Sequence, residues 1–168
     1  VCSFIRDFTE KHVAADRLKE SEETFRRLFE NSSDAIALMK DGRFVECNQT
    51  ALSLTGLEKK TQLLGLTPAD ISPAFQEDGA SSTAKINKHI EQALEQGSGR
   101  FEWLFKKPDN STLSVDLALM PIVIRGSRMV HMTWRDITLS KKAADEKERL
   151  QEQLVQVQKM DAVGQLAG

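Results

Sequence analysis

The stretch VHMTWRDITLSKKAAD, Val130 to Asp145, changes its period halfway along, and that change decides the fold. Val130, Met132 and Trp134 alternate with His131, Thr133 and Arg135, the period of a strand with one apolar and one polar face. From Lys141 to Gln158 the residues are good helix formers without Gly or Pro, and Thr138 carries the hydroxyl that an N-cap needs. A strand therefore runs straight into a helix at Asp136-Ile137-Thr138. A carboxylate and a hydroxyl at such a junction can hold it at a fixed angle.

The stretch has an echo. VCSFIRDFTEKHVAAD, Val1 to Asp16, aligns on it without gaps and shares Val, Arg, Asp, Thr, Ala, Ala and Asp. The repeat predicts a strand over Val1 to Thr9, the last strand of a preceding, truncated domain of the same kind, with Thr9 capping a linker helix over residues 10–30.

Between the two copies, short strands come first, then helices, then longer strands, an α+β order. Ala35 to Lys40 and Arg43 to Asn48 flank Asp41-Gly42, a hairpin signal because both residues tolerate positive φ. Asn48 can cap a short helix that Gly56 ends, and Pro68 and Pro73 break up the region that follows. A helix is predicted over Ser82 to Gln96, with Ile86, Ile90, Ala93 and Leu94 on one face, stopped by Gly97. Alternation from Phe101 to Phe105 and from Leu113 to Leu119, with turns at Pro108-Asp109-Asn110 and Arg125-Gly126-Ser127, completes five antiparallel strands with helices on one face.

Composition narrows the function. The 168 residues carry 23 Lys and Arg against 25 Asp and Glu, so no strongly basic field exists to attract nucleic acid or an anionic membrane. Cys2 and Cys47 are far apart and make neither a disulfide framework nor a zinc knuckle. No apolar run is long enough to cross a bilayer, and the first residues lack the charged and apolar order of a signal peptide. The expectation is a cytoplasmic fragment, whose parent could still be membrane-anchored.

In this order and spacing, FRRLFENSSDAIALM (25–39), DGRFVECNQTALSLTG (41–56) and WRDIT (134–138) resemble the PAS family over roughly Glu22 to Thr138. The resemblance implies a PAS fold, with a sensor domain over residues 31–138 and Asp136, Ile137 and Thr138 as the junction where sensor meets output helix. QKMDAVGQLAG (158–168) resembles the start of the dimerisation and phosphoacceptor helix of bacterial histidine kinases, so residues 139–168 are expected to form a coiled-coil linker running into that helix. The phosphoacceptor histidine and the ATP-binding domain would lie beyond Gly168. The fragment itself is then not an enzyme, its parent is a sensor histidine kinase of a two-component phosphorelay, and a response regulator is the parent's partner. One rival is PAS input to a cyclic-dinucleotide synthase, against which QKMDAVGQLAG argues. Another is a structural dimerisation spacer without ligand.

Candidate chemistry is sparse. His89, beside the apolar stripe of the long helix, resembles in position the proximal ligand of haem-binding relatives, but it sits at the stripe's edge. Cys47 ends a strand, and the helix motif that carries the flavin-adduct cysteine in photoreceptive relatives is missing, so a small buried thiol is the reading. His12 and His131 lack ligand-spaced partners. The cofactor is thus unknown, with haem and flavin both disfavoured and no metal site or catalytic residue named. Ile86, Ile90, Phe101, Trp103, Leu117, Met132 and Trp134 are the candidates for lining a small-molecule pocket between sheet and long helix, or else they simply fill the core. In the terminal helices Leu150, Leu154 and Val157 step by four and three, Met160, Val163 and Ala167 continue in a shifted phase, and Ala14, Leu18, Phe25 and Leu28 repeat the theme. A homodimer through the terminal helices is expected.

Overall fold

A computed structural model describes residues 2–167, with side chains from residue 5 to residue 164. The elements are helix α1 (Cys2–Glu30), strands β1 (Ala35–Lys40) and β2 (Arg43–Cys47), helix α2 (Gln49–Thr55), a single 3-10 turn (Lys60–Gln62), helix α3 (Ser82–Gln96), strands β3 (Gly99–Lys106), β4 (Thr112–Ile124) and β5 (Ser127–Asp136), and helix α4 (Thr138–Ala167). The strands form one antiparallel sheet in the order β2-β1-β5-β4-β3, so the last strand lies at the centre, between β1 and β4. The periodicity predicts these five antiparallel strands, and their arrangement agrees with the fold that the resemblance to the PAS family implies.

Turn chemistry sets the sheet's first hairpin. Asp41 and Gly42 both adopt positive φ, 51° and 75°, which lets β2 fold back on β1 in two residues. Gly56 ends α2 at φ 74°, in the left-handed region that a side chain would strain, and its N–H returns to the carbonyls of Leu52 and Ser53.

One face of the sheet is the core. Ala35, Ala37 and Met39 of β1, Phe44 and Cys47 of β2, Trp103 and Phe105 of β3, Leu113, Val115, Leu117 and Leu119 of β4 and Val130, Met132 and Trp134 of β5 are all buried. They pack against Ala51 and Leu52 of α2, Leu63, and Ile86 and Ala93 of α3. Each fully buried side chain of this size stabilises the fold by about 1.5–3 kcal/mol.

Three sequence expectations are corrected. The strand predicted over Val1 to Thr9 is helical from Cys2 on, Val1 lying outside the described residues. A strand has to share its hydrogen bonds with a neighbour, whereas a helix closes its own, and this segment has neither Gly nor Pro to stop one. Thr9 accordingly caps nothing; it sits inside α1 with its hydroxyl donating to the Ile5 carbonyl at 2.8 Å. On α3 the inward face is Ser82, Ile86 and Ala93 with Ile90 half-buried, and Leu94 points away. In agreement with the turn predicted at Arg125-Gly126-Ser127, β4 continues past Leu119 through Pro121 to Ile124. Leu119 is the last residue of β4 paired with β3, so beyond it the strand has β5 as its only neighbour, a setting in which proline is tolerated.

Candidate functional site: the strand-to-helix junction and the core behind it

The end of β5 joins three layers. Trp134 points into the core between Phe44 and Phe105, whose ring centroids lie 6.5 and 5.6 Å away. It is 1% exposed, and its indole N–H is fully buried without a hydrogen-bond partner. Two residues on, the Asp136 carboxylate accepts the N–H of Thr138 at 2.8 Å. Thr138 does not cap with its own hydroxyl as expected, because that oxygen is taken by β4, accepting the Ser114 N–H at 3.1 Å. Ile137 donates its N–H to the Ser114 carbonyl at 2.9 Å and accepts from the Lys141 N–H at 2.8 Å, the first hydrogen bond of α4. Backbone and side chain together thus fix how α4 leaves the sheet.

The pocket candidates divide into two groups. Ile86, Trp103, Leu117, Met132 and Trp134 converge in the buried cluster, while Ile90 and Phe101 lie half-buried at its margin. His89 lies flat on Phe101, centroids 3.7 Å apart, and burial, then the nearby Lys85 and Lys88, push its pKa below the usual histidine range. Cys47 is buried at the end of β2, where loss of solvation drives its thiol from 9.0 up to about 11. Among the described residues no group of three or more His, Cys, Asp or Glu is arranged to hold a metal ion. No described helix is long and apolar enough to cross a membrane.

The segment between the 3-10 turn and α3 supplies polar groups that the sequence pattern did not reveal. Ser72 accepts the Trp103 indole N–H at 2.9 Å. Gln76 is buried and acts as a short extra strand on β3: its amide oxygen accepts the Leu104 N–H at 2.8 Å and its amide nitrogen donates to the Leu104 carbonyl at 3.2 Å and to Ser82 Oγ at 2.7 Å. At the opposite edge Asn48 is a hub. Its oxygen accepts from Ala51 and Ile36, both at 2.9 Å, and its nitrogen donates to the carbonyls of Phe29 and Asp34, tying α1, β1 and α2 together. Only its capping role had a signal in the sequence. Lys60 reinforces that corner by bridging Glu30 and Glu46 at 2.8 Å each; burial lowers its pKa, but the two carboxylates outweigh this and hold it above the usual lysine range.

The five-stranded sheet has its central strand running directly into α4. A family model described as "PAS domain" matches residues 33–139, well over half the chain. The chain belongs to the PAS domain family. A curated relative of this PAS domain is sporulation kinase E of Bacillus subtilis, 35% identical over 107 residues, which are 61% of this chain and 14% of the kinase. The chain thus spans about one seventh of that relative's length. Among solved structures, the PAS domain of an HTR-like protein from Haloarcula marismortui superposes with a TM-score of 0.58 at 26% identity, covering 75% of this chain and 99% of the other. The PAS domain of a two-component sensor histidine kinase gives a TM-score of 0.56 at 18% identity, covering 70% and 98% respectively, a likeness of fold.

Proposed function

We propose that the chain is the signal-sensing and relay module of a two-component sensor histidine kinase. Its core takes a small molecule, and the altered core changes the angle or rotation of α4 through Asp136-Ile137-Thr138, so that the C-terminal coiled coil regulates autophosphorylation and hence transfer to a response regulator. The observation that carries this is the unpartnered indole N–H of Trp134, buried two residues from the junction. A buried N–H without an acceptor is costly, and a ligand or water presenting an oxygen to it would relieve that cost. The ligand class is therefore a compact, mostly apolar molecule with one acceptor, in keeping with the apolar residues packed around the indole.

Exposed apolar residues on the terminal helices support the relay. Leu150, Leu154 and Val157 are all more than half exposed in the single chain, as are Leu18, Phe25 and Leu28, and a parallel homodimer would cover them. A second reading, a structural spacer without ligand, draws on the close mutual packing of the candidate residues in one cluster. Native mass spectrometry of the purified chain separates the two. The sensor reading predicts an added mass that is lost in Trp134→Phe; bare chain from every preparation would favour the spacer.

A further inference from the structure

The start of α4 poses an electrostatic problem. The N-terminal end of a helix carries partial positive charge and is stabilised by acidic residues, yet the first turn of α4 has none, and Lys141 and Lys142 follow directly. Asp136, just before the helix, accepts the Thr138 N–H, but the charge of Lys141 is answered from elsewhere in the molecule. Lys141 Nζ donates to Glu77 and, at 3.2 Å, to Glu102 of β3, and these partners leave the lysine side chain only 27% exposed. The three line a cleft of about 180 Å³ together with Gln76, Asp78 and Lys85, and there Lys85 is taken by Asp78 at 2.6 Å.

Glu77 stands on a segment that its own backbone hydrogen bonds close into a loop. Residues 73–82 fold back on themselves, with the Gln76 N–H donating to the Ala80 carbonyl at 2.9 Å and the Ser82 N–H to the Ala74 carbonyl at 3.0 Å. Gln76 clips this loop to Leu104 of β3, next to Trp103, whose indole is itself held by the preceding Ser72. The path from buried core to output helix is therefore continuous: Trp103, Ser72 and Gln76, Glu77, Lys141.

We infer that Lys141 is an electrostatic latch, which Glu77 and Glu102 hold closed, so that the first turn of α4 is fully stabilised only while the 73–82 loop stays docked on β3. This second route to the helix is distinct from the Asp136-Thr138 junction. A change in the core around Trp103 would shift the loop, withdraw Glu77 and leave Lys141 with Glu102 as its remaining carboxylate partner, so that the helix start would loosen or turn. The inference rests on α4 being the output element of the sensor proposed above.

Hydrogen exchange on the whole chain, read by mass spectrometry, tests it without requiring a kinase or a known ligand; retention of a small molecule tests the sensor reading separately. Lys141→Met should accelerate exchange in residues 138–145 and also in 73–82, each by roughly tenfold, a local opening that spares β4 and β5. One molar sodium chloride should act on the wild type in the same direction, because it screens the partly exposed pairs. The charge swap Lys141→Glu with Glu77→Lys and Glu102→Lys should restore slow exchange in both segments. Should Lys141→Met loosen β4 and β5 as well, Glu77→Gln, whose native side chain is already over half exposed, reads the latch alone. Unchanged exchange at 138–145, or acceleration there with 73–82 unaffected, overturns the inference.

Discussion

The core sheet and the terminal helices use apolar residues in opposite ways. In β4 every second residue from Leu113 to Leu119 is buried, and in β5 the same holds from Val130 to Trp134. In α1 and α4 most of the large apolar residues are exposed, Leu139 at 83% and Met160 at 76%, with Phe29 half-buried where α1 meets the sheet. Isolated helices gain little stability from propensity and depend on burying a face. The difference teaches that the sheet is finished as a single chain, whereas the long helices carry the pattern of an interface still to be made.

Substitution in the core should cost the most. Trp134→Ala removes the largest buried side chain and should destabilise the domain by about 3–5 kcal/mol in urea unfolding. A loss below 1 kcal/mol would mean that the core around Trp134 is loosely packed. Asn48→Ala should come next, at about 2–3 kcal/mol, since it removes a helix cap and strands the Ile36 N–H and two carbonyls. The same measurement checks it, and a neutral result would show that the hub does not hold α1 to the sheet.

A smaller effect should appear with pH. Folding holds the Cys47 thiol protonated up to about pH 11 against an ordinary 9.0, so above pH 9 the unfolded chain binds fewer protons and stability falls as pH rises toward 11. The full shift corresponds to at most about 2–3 kcal/mol. Comparing unfolding of wild type and Cys47→Ala at pH 8 and pH 10.5 isolates this contribution, which the variant should lack. Parallel pH slopes for the two would contradict it. Smallest of all should be Leu154→Ala under conditions that keep the chain monomeric, within about 0.5 kcal/mol, because the side chain touches no core.

The two regions also differed in how well the sequence revealed them. Strands with alternating faces, the Asp41-Gly42 turn and the α3 limits at Ser82 and Gln96 could be read because each follows from a local rule. Residues 63–81 could not: their order comes from side chains such as Gln76 and Ser72 standing in for backbone partners on a distant strand, which no periodicity records. The opening segment misled for another reason. Its likeness to the β5-to-α4 stretch is real, but β5 is a strand because β1 and β4 flank it, and Cys2 to Thr9 has no such neighbours. In the candidate site, the seven pocket candidates were legible as apolar positions, while the missing partner of the Trp134 indole N–H emerged only with its burial.

The contrast between a finished core and unfinished helices can be tested directly by sedimentation equilibrium. The account predicts that the full chain dimerises and that replacing Leu150, Leu154 and Val157 together by alanine weakens the dimer by at least roughly a hundredfold, at about 1 kcal/mol or more for each side chain no longer buried, with the fold of the sheet intact. A dimer of unchanged affinity in that variant, or a chain that stays monomeric at millimolar concentration, would contradict it.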